Sequence, residues 1–480
     1  MTGPESISDL SQILSLQKEE RFQLIHQVTQ YYLAFLDDLP EGKAYLGDPD
    51  GGKALETMPF GEKPYPLERI FDVFHRAVAQ NGINPASGKH FGYVPGGGIE
   101  TAAWGDFLAA ITNRYSGISF ANPGAVRMEN QVISWMCRLI GYPANSHGSL
   151  LSGGSIANLS GIITARDHKQ LKARDFDRAV IYLTEETHHC VQKALRLAGM
   201  GESLVRYVAM DETFSMQTEE LEMAIQQDLD SGLIPFMIIG SAGTTNTGAI
   251  DPLDRLADIA AQNRVWFHVD AAYGGFFLLV DKLREKFKGI ERADSVVIDP
   301  HKSLFMPYGS GVILVRQAAS LFQSNYYTAA YLQDSADGQE ALSPADYSPE
   351  LTRPFRGMRL WFSLTVLGID PFRKALAEKI DLCRYFYFEI QKAGFEVGPF
   401  PALSITLFRN VPDGENANEA NTKLLAFIHD DGNIFVSSTT IQGVLWIRMA
   451  ILAFRAHKKE VDIALNLLRN YKNPDKLLKT

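Results

Sequence analysis

A chain of 480 residues has room for about three domains of the usual ~150 residues, which excludes a peptide hormone, a zinc knuckle or a disulfide-stapled scaffold. Its 46 Lys and Arg against 56 Asp and Glu leave a formal net charge of -10, which argues against bulk nucleic-acid binding and its need for a basic face. Hydrophobic residues at 46% and charged residues at 21% are those of an ordinary soluble globular protein. Three cysteines, Cys137, Cys190 and Cys383, form no C-x-x-C pair, so neither a disulfide framework nor a structural zinc site is expected, and a reducing cytoplasm fits. The first residues lack the apolar core of a signal peptide, and runs such as Phe276 to Val280 fall far short of the ~20 residues that span a bilayer.

In chain order, Leu10, Ile13, Leu14, Leu24, Ile25, Val28, Tyr32 and Phe35 recur at spacings of three, four and seven, which predicts a pair of amphipathic helices over 8 to 36. A Gly/Pro-rich connection follows from Pro40 to Pro66, and a second break comes at Tyr93 to Gly98. From about residue 100 the pattern changes to short apolar runs alternating with helical periodicity. Strands are predicted at Ala179 to Leu183, Val205 to Ala209, Phe236 to Gly240, Trp266 to Val269, Ser295 to Ile298 and Val312 to Val315, with helices such as Ile156 to Arg166 and Pro252 to Gln262 between them. Several strands are apolar throughout, as in a parallel sheet covered on both faces, so the class is α/β. After Trp361 helices dominate, then strands return at Ser404 to Phe408 and Leu445 to Ala450 before a terminal helix from Lys459 to Tyr471.

Ligands of open α/β sheets gather beyond the carboxyl ends of the strands, so unusual residues just after strands deserve weight. The turn Ser152-Gly153-Gly154-Ser155 feeds a helix, and its N–H groups with the Ser155 hydroxyl suit a monoester phosphate; the same turn also serves an ordinary capped helix. Asp270 ends an apolar strand, where a carboxylate needs a cation, a metal or several donors. Lys302 follows another through the turn Asp299-Pro300-His301, as either a salt-bridge member or an amine kept reactive for Schiff-base chemistry. The 32 residues from Asp270 to Lys302 suit one strand-helix-strand repeat that brings both to one sheet edge. Together the three features match what pyridoxal 5'-phosphate needs: an amine for its aldehyde, a carboxylate for its ring nitrogen and a helix terminus for its phosphate. His188, followed by His189 and Cys190, reads as a core histidine more readily than as a metal ligand, because adjacent side chains rarely share one ligand shell, so no metal is expected. Arg356 and Arg448 are either anion binders or members of structural ion pairs.

From about residue 86 to 455 the chain resembles the group II pyridoxal-phosphate-dependent amino-acid decarboxylases, most of all the aromatic L-amino-acid type. The motifs that carry the resemblance are His268-Val269-Asp270-Ala271-Ala272-Tyr273 and Pro300-His301-Lys302. Asp299 stands where that family usually has asparagine. The resemblance implies an aspartate-aminotransferase-like fold, the fold type I of pyridoxal enzymes, with a mostly parallel seven-stranded sheet. It also implies three regions: an N-terminal helical dimerisation segment over 1–99, a large cofactor-binding domain over 100–361 and a small α+β domain over 362–480. Carried over residue by residue, it implies Lys302 as the Schiff-base lysine, Asp270 as partner of the ring nitrogen and His188 stacked on the cofactor ring. Gly154, Ser155 and His301 become phosphate contacts, Thr245 a neighbour of the cofactor, and Tyr93, Val94 and Pro95 the lining of the substrate pocket. Tyr331 falls in a segment similar to the family's mobile loop, where a tyrosine protonates the substrate carbon after carbon dioxide leaves.

The expected activity is decarboxylation of an L-amino acid, aromatic rather than glutamate, by a cytoplasmic homodimer that needs no nucleic acid or membrane. An aldehyde synthase on the same scaffold is the alternative, and Tyr331 in place of phenylalanine speaks against it. A catalytically silent pyridoxal-binding regulator would be expected to lose Lys302, Asp270 or Tyr331, and all three are present.

Overall fold

The computed structural model describes residues 14–47, 50–327 and 342–472. Ahead of the main sheet come α1 (Lys18–Asp38), β1 (Tyr45–Leu46), α2 (Leu67–Phe74), β2 (Gly82–Ile83), α3 (Glu100–Thr112) and α4 (Pro123–Ile140). The described part of the first amphipathic region is thus one helix, opening after Gln17, where two were expected. Local chemistry sets α4: Asn122 caps it by accepting from the Ala125 N–H at 3.2 Å, Pro123 occupies its first turn, and Gly141 ends it at φ 84°.

The next segment alternates strand and helix: β3 (His147–Leu151), α5 (Gly154–His168), β4 (Ala179–Leu183), α6 (Cys190–Leu197), β5 (Leu204–Tyr207), α7 (Thr218–Asp230), β6 (Ile234–Ser241), α8 (Leu253–Asn263), β7 (Trp266–Asp270), β8 (Ser295–Ile298), β9 (Gly311–Val315) and α9 (Ala318–Asn325). These seven strands form one sheet in the order β3-β9-β8-β7-β6-β4-β5. All pairs are parallel except those of β9, which runs antiparallel to β3 and β8. Neighbouring residues of each strand face opposite layers: Ile238 packs into one apolar core, and Met237 and Ile239 into the other. This two-sided burial is why the strands read as continuous apolar runs.

The remainder is α10 (Gly357–Leu367), α11 (Asp370–Lys392), β10 (Glu396–Val397), β11 (Ile405–Arg409), α12 (Ala417–Asp431), β12 (Ser437–Ile441), β13 (Val444–Ala450) and α13 (Lys458–Lys472). α10 is unbroken at residue 361 and ends at Gly368. The last four strands form an antiparallel sheet, and a third apolar core, including Phe386, Phe408, Ile447 and Leu465, lies between it and helices α11 to α13. No helix among the described residues is long and apolar enough to cross a membrane.

Candidate active site

The reversed strand β9 decides the position of the site. Because β3 and β8 are both antiparallel to β9, their carboxyl ends lie at the same edge as the start of β9, in the register Leu151 opposite Gly311 and Ile298 opposite Val312. Ser152 to Gly154, Asp299 to Lys302 and Gly311 therefore converge, and the ends of β6 and β7 bring Ser241 and Asp270 to the same edge. There the chain encloses a cavity of about 420 Å³ lined by Ser155, His188, Thr245, Asp270, His301 and Lys302, among others.

Lys302 Nζ donates to Asp299 Oδ2 at 3.2 Å. Burial works to strip its proton, but the carboxylates of Asp299 and Asp270 outweigh that effect and hold the ammonium above its ordinary value. Asp270 closes β7 and accepts from the Ala272 N–H at 3.0 Å and from Asn158 Nδ2 at 3.2 Å. The His188 imidazole is pushed down to about 4, chiefly by burial, so it is neutral near pH 7, and its Nδ1 accepts from the Cys190 N–H at 3.3 Å. His301 is also lowered by burial; its Nδ1–H donates to the Ser310 carbonyl, which turns Nε2 towards Asp299. Gly154 and Ser155 open α5, and the Ser155 side chain faces the cavity.

The three residues expected to line a substrate pocket sit apart from this cavity. Val94 is buried in the core, Tyr93 is about half exposed with its ring against Phe435, and Pro95 borders a smaller cavity of about 220 Å³ that also meets His301. The backbone that follows them runs beside the lysine turn: the Gly96 N–H donates to the His301 carbonyl at 3.2 Å, and a Cβ at Gly96 would strike the Lys302 carbonyl. Tyr331 lies outside the described residues. Both arginines left open by the sequence are engaged. Arg356 pairs with Glu350 at 2.5 Å, and buried Arg448 donates to the Asn246 carbonyl, the Ser437 hydroxyl and the Thr245 carbonyl. Among the described residues no group of three or more His, Cys, Asp or Glu side chains could hold a metal ion.

Sequence reasoning assigned nothing to Asn158, His268, Glu186 or Cys190. Asn158 holds Asp270, and His268 Nε2 in turn holds Asn158 Oδ1 at 2.9 Å. Glu186 lines the cavity with a buried Oε2 that lacks a hydrogen-bond partner, and burial raises its carboxyl. Burial also pushes the Cys190 thiol up to about 12, which leaves it inert as a nucleophile. The usable signals were His268 two residues before Asp270, on the same strand face, and Asn158 one helical turn after Gly154.

The pyridoxal-dependent decarboxylase conserved domain matches residues 49–409. The chain belongs to the pyridoxal-dependent decarboxylase family. It is 31% identical to an aromatic-L-amino-acid decarboxylase of Bacillus atrophaeus, over 94% of this chain and 95% of that one. It is 29% identical to a phenylacetaldehyde synthase of Petunia hybrida, over 85% of each chain. Its fold is that of the tryptophan decarboxylase of Oryza sativa solved with pyridoxal phosphate and tryptamine, with a TM-score of 0.89, 23% identity, and coverage of 96% of this chain and 99% of the other. The enzyme is thus a pyridoxal-phosphate-dependent carboxy-lyase of fold type I.

The residues of the cavity fit that cofactor. Gly153, Gly154 and Ser155 line the cavity at the start of α5, where the unpaired backbone N–H groups of a helix terminus suit a phosphate. Asp270 has one donor on each carboxylate oxygen and capacity for another, and Lys302 brings an amine to the same space.

Proposed function

We propose that this enzyme removes the carboxyl group of an L-amino acid with an aromatic or bulky apolar side chain, releasing carbon dioxide and the amine. The observation that carries the reading is the meeting of the Lys302 amine, the Asp270 carboxylate and the start of α5 in one cavity. When bound, pyridoxal phosphate supplies a conjugated ring that accepts the electron pair left as carbon dioxide departs. Lys302 Nζ would hold the cofactor through its aldehyde and yield it to the substrate amine, then recover it to release product. Asp270 would keep a proton on the ring nitrogen through a charge-assisted hydrogen bond worth about 1.5–3 kcal/mol. Neutral His188 would lie flat against the ring and limit its tilt, Thr245 would flank it, and Gly154, Ser155 and His301 would face the phosphate.

Tyr331 would deliver the proton to the carbon that has lost carbon dioxide, which favours amine over aldehyde formation. The aromatic preference is supported by the relative from Bacillus atrophaeus. The Petunia hybrida relative keeps oxidative formation of an aldehyde as the second reading. Carbon dioxide release measured across the twenty amino acids, with mass identification of the organic product, tests both. Fastest release from phenylalanine, tyrosine or tryptophan is expected; glutamate as the best substrate would overturn the side-chain assignment, and aldehyde as the main product would establish the second reading.

The working unit is proposed to be a cytoplasmic homodimer. No residue of α1 is buried; Phe22 at 65% and Ile25 at 58% exposure lie on it, and its Tyr32 meets Trp104 of α3, where Trp104, Phe107 and Ile111 are also exposed. A contiguous apolar face of this kind calls for a partner, and a second copy is the simplest occupant.

A further inference from the structure

A second cavity of about 400 Å³, nearly the size of the catalytic one, lies across a single loop from it. The chain from β6 to α8 divides the two. Ser241, Thr244 and Thr245 line the catalytic side, and Thr247, Ala249 and Pro252 line the other. The divider is tied together: the Thr244 and Thr247 hydroxyls meet at 2.6 Å, and buried Asp251 accepts from the Ser241 N–H at 2.7 Å and the Met216 N–H at 2.8 Å. A molecule in the second cavity is therefore kept from Lys302 by hydrogen-bonded backbone. None of the residues that line it has a part in the reading above.

Its apolar walls come from both sheets. Phe214 and Ile250 line it beside the seven-stranded sheet, and Phe400, Pro401, Ile405 and Leu407 beside the four-stranded one. Phe214 stands at φ 64°, a backbone conformation that a residue with a Cβ adopts only at a cost. Asp211 holds the turn in that shape, its Oδ1 accepting from the N–H and hydroxyl of Thr213 and from the Ser215 N–H at 2.7–3.0 Å. An apolar cavity of about 150 Å³ already takes a benzene ring, so there is room here for a ring and a polar arm.

The charge around the cavity is one-sided. Lys286 lines it; burial and the Arg384 guanidinium both lower its ammonium, and among the described residues no carboxylate acts against them. Arg384 of α11 lies over the Phe400 ring at 5.8 Å, with a buried Nε that has no hydrogen-bond partner. The two carboxylates of the lining are committed, Asp251 to backbone N–H groups and Asp211 to its own turn, and neither raises Lys286. Two neighbouring cations without a counter-charge, beside an apolar cavity furnished with two phenyl rings, are complementary to an anion that carries an aromatic ring.

We propose that this cavity is a second ligand site, for an aromatic monocarboxylate: its carboxylate against Lys286 beside Arg384, its ring against Phe214 and Phe400. The site does not depend on the substrate assigned to the catalytic cavity.

The test is calorimetric titration of the holoenzyme with 3-phenylpropanoate, which has no amine to displace Lys302 from the cofactor. The uncharged 3-phenylpropan-1-ol is the control. The acid should bind with a dissociation constant of about 0.1–1 mM and leave the KM for substrate unchanged. Lys286→Gln should weaken the acid about three- to tenfold and leave the alcohol as it was. Phe400 is 51% exposed, so Phe400→Ala should leave the fold intact and weaken acid and alcohol alike. Both variants should release carbon dioxide as wild type does, which reports that they are folded. No binding of the acid up to about 10 mM overturns the proposal. Binding that neither variant weakens also overturns it, and an accompanying rise in KM would then put the acid in the catalytic cavity. Equal loss of acid and alcohol in Lys286→Gln overturns the placement of the carboxylate.

Discussion

Replacing Asp270 by asparagine removes one charge and almost no volume, and the surrounding hydrogen bonds set its consequences. Trp266 Nε1–H donates to Ser295 Oγ at 2.9 Å, and Ser295 Oγ–H donates to His268 Nδ1 at 2.7 Å. His268 Nε2–H donates to Asn158 Oδ1 at 2.9 Å, and Asn158 Nδ2–H donates to Asp270 Oδ2 at 3.2 Å. His268 is pushed down to about 4 by burial and is neutral near pH 7, so its single hydrogen orders the chain in this direction. Ala272 N–H takes the other oxygen, Oδ1. An asparagine at 270 must turn its NH₂ towards one of these two donors, leaving a buried donor unpaired at a cost of about 1–3 kcal/mol in stability. On the cavity side the variant loses a charge-assisted bond to the ring nitrogen of about 1.5–3 kcal/mol, which corresponds to a roughly 10- to 150-fold fall in kcat. Carbon dioxide release at saturating substrate, with cofactor content read from absorbance and stability from thermal unfolding, separates the two effects. A variant that keeps full cofactor occupancy and a kcat within twofold of wild type would refute the role given to Asp270.

Lys302→Ala should lose covalent attachment of the cofactor and nearly all turnover; borohydride reduction of wild type followed by peptide mapping should place the pyridoxyl label on Lys302, and a label on another lysine would reassign the site. Tyr331→Phe should keep cofactor and substrate binding, lose most amine formation by a factor of about 100 to 10,000, and divert flux to aldehyde, ammonia and hydrogen peroxide. Amine and peroxide quantified side by side under air decide it, and undiminished amine would remove Tyr331 from the chemistry. Sedimentation should find a dimer at micromolar concentration; charged residues placed at Phe22 and Ile25 should shift it towards monomer with loss of activity, and a fully active monomer would sink the dimer.

Lys302 and Asp270 were legible in the sequence because each stands just after an apolar run, and a charge at the end of a buried strand is costly enough to need a reason. The strands themselves were legible because burial on both faces leaves little but apolar residues. β3 was not: His147-Gly148-Ser149 breaks the apolar run, and it pairs with β9, whose residues lie 160 or more positions away. The reversal of β9 was equally invisible, since the direction of a strand leaves no mark on its composition. Yet that reversal sets Gly311 and the Ser152–Gly154 turn against Asp299. The fates of Arg356 and Arg448 were undecided for a similar reason, because an arginine shows its charge in the sequence but not whether a carboxylate or a row of carbonyls meets it. The sequence by itself determined which side chains could do chemistry, since that follows from residue type and position beside buried strands. Only the tertiary structure decided which of them share a cavity and which polar atoms remain unpaired there, because contacts such as Asn158 with Asp270 join residues 112 positions apart and leave no local periodicity to read.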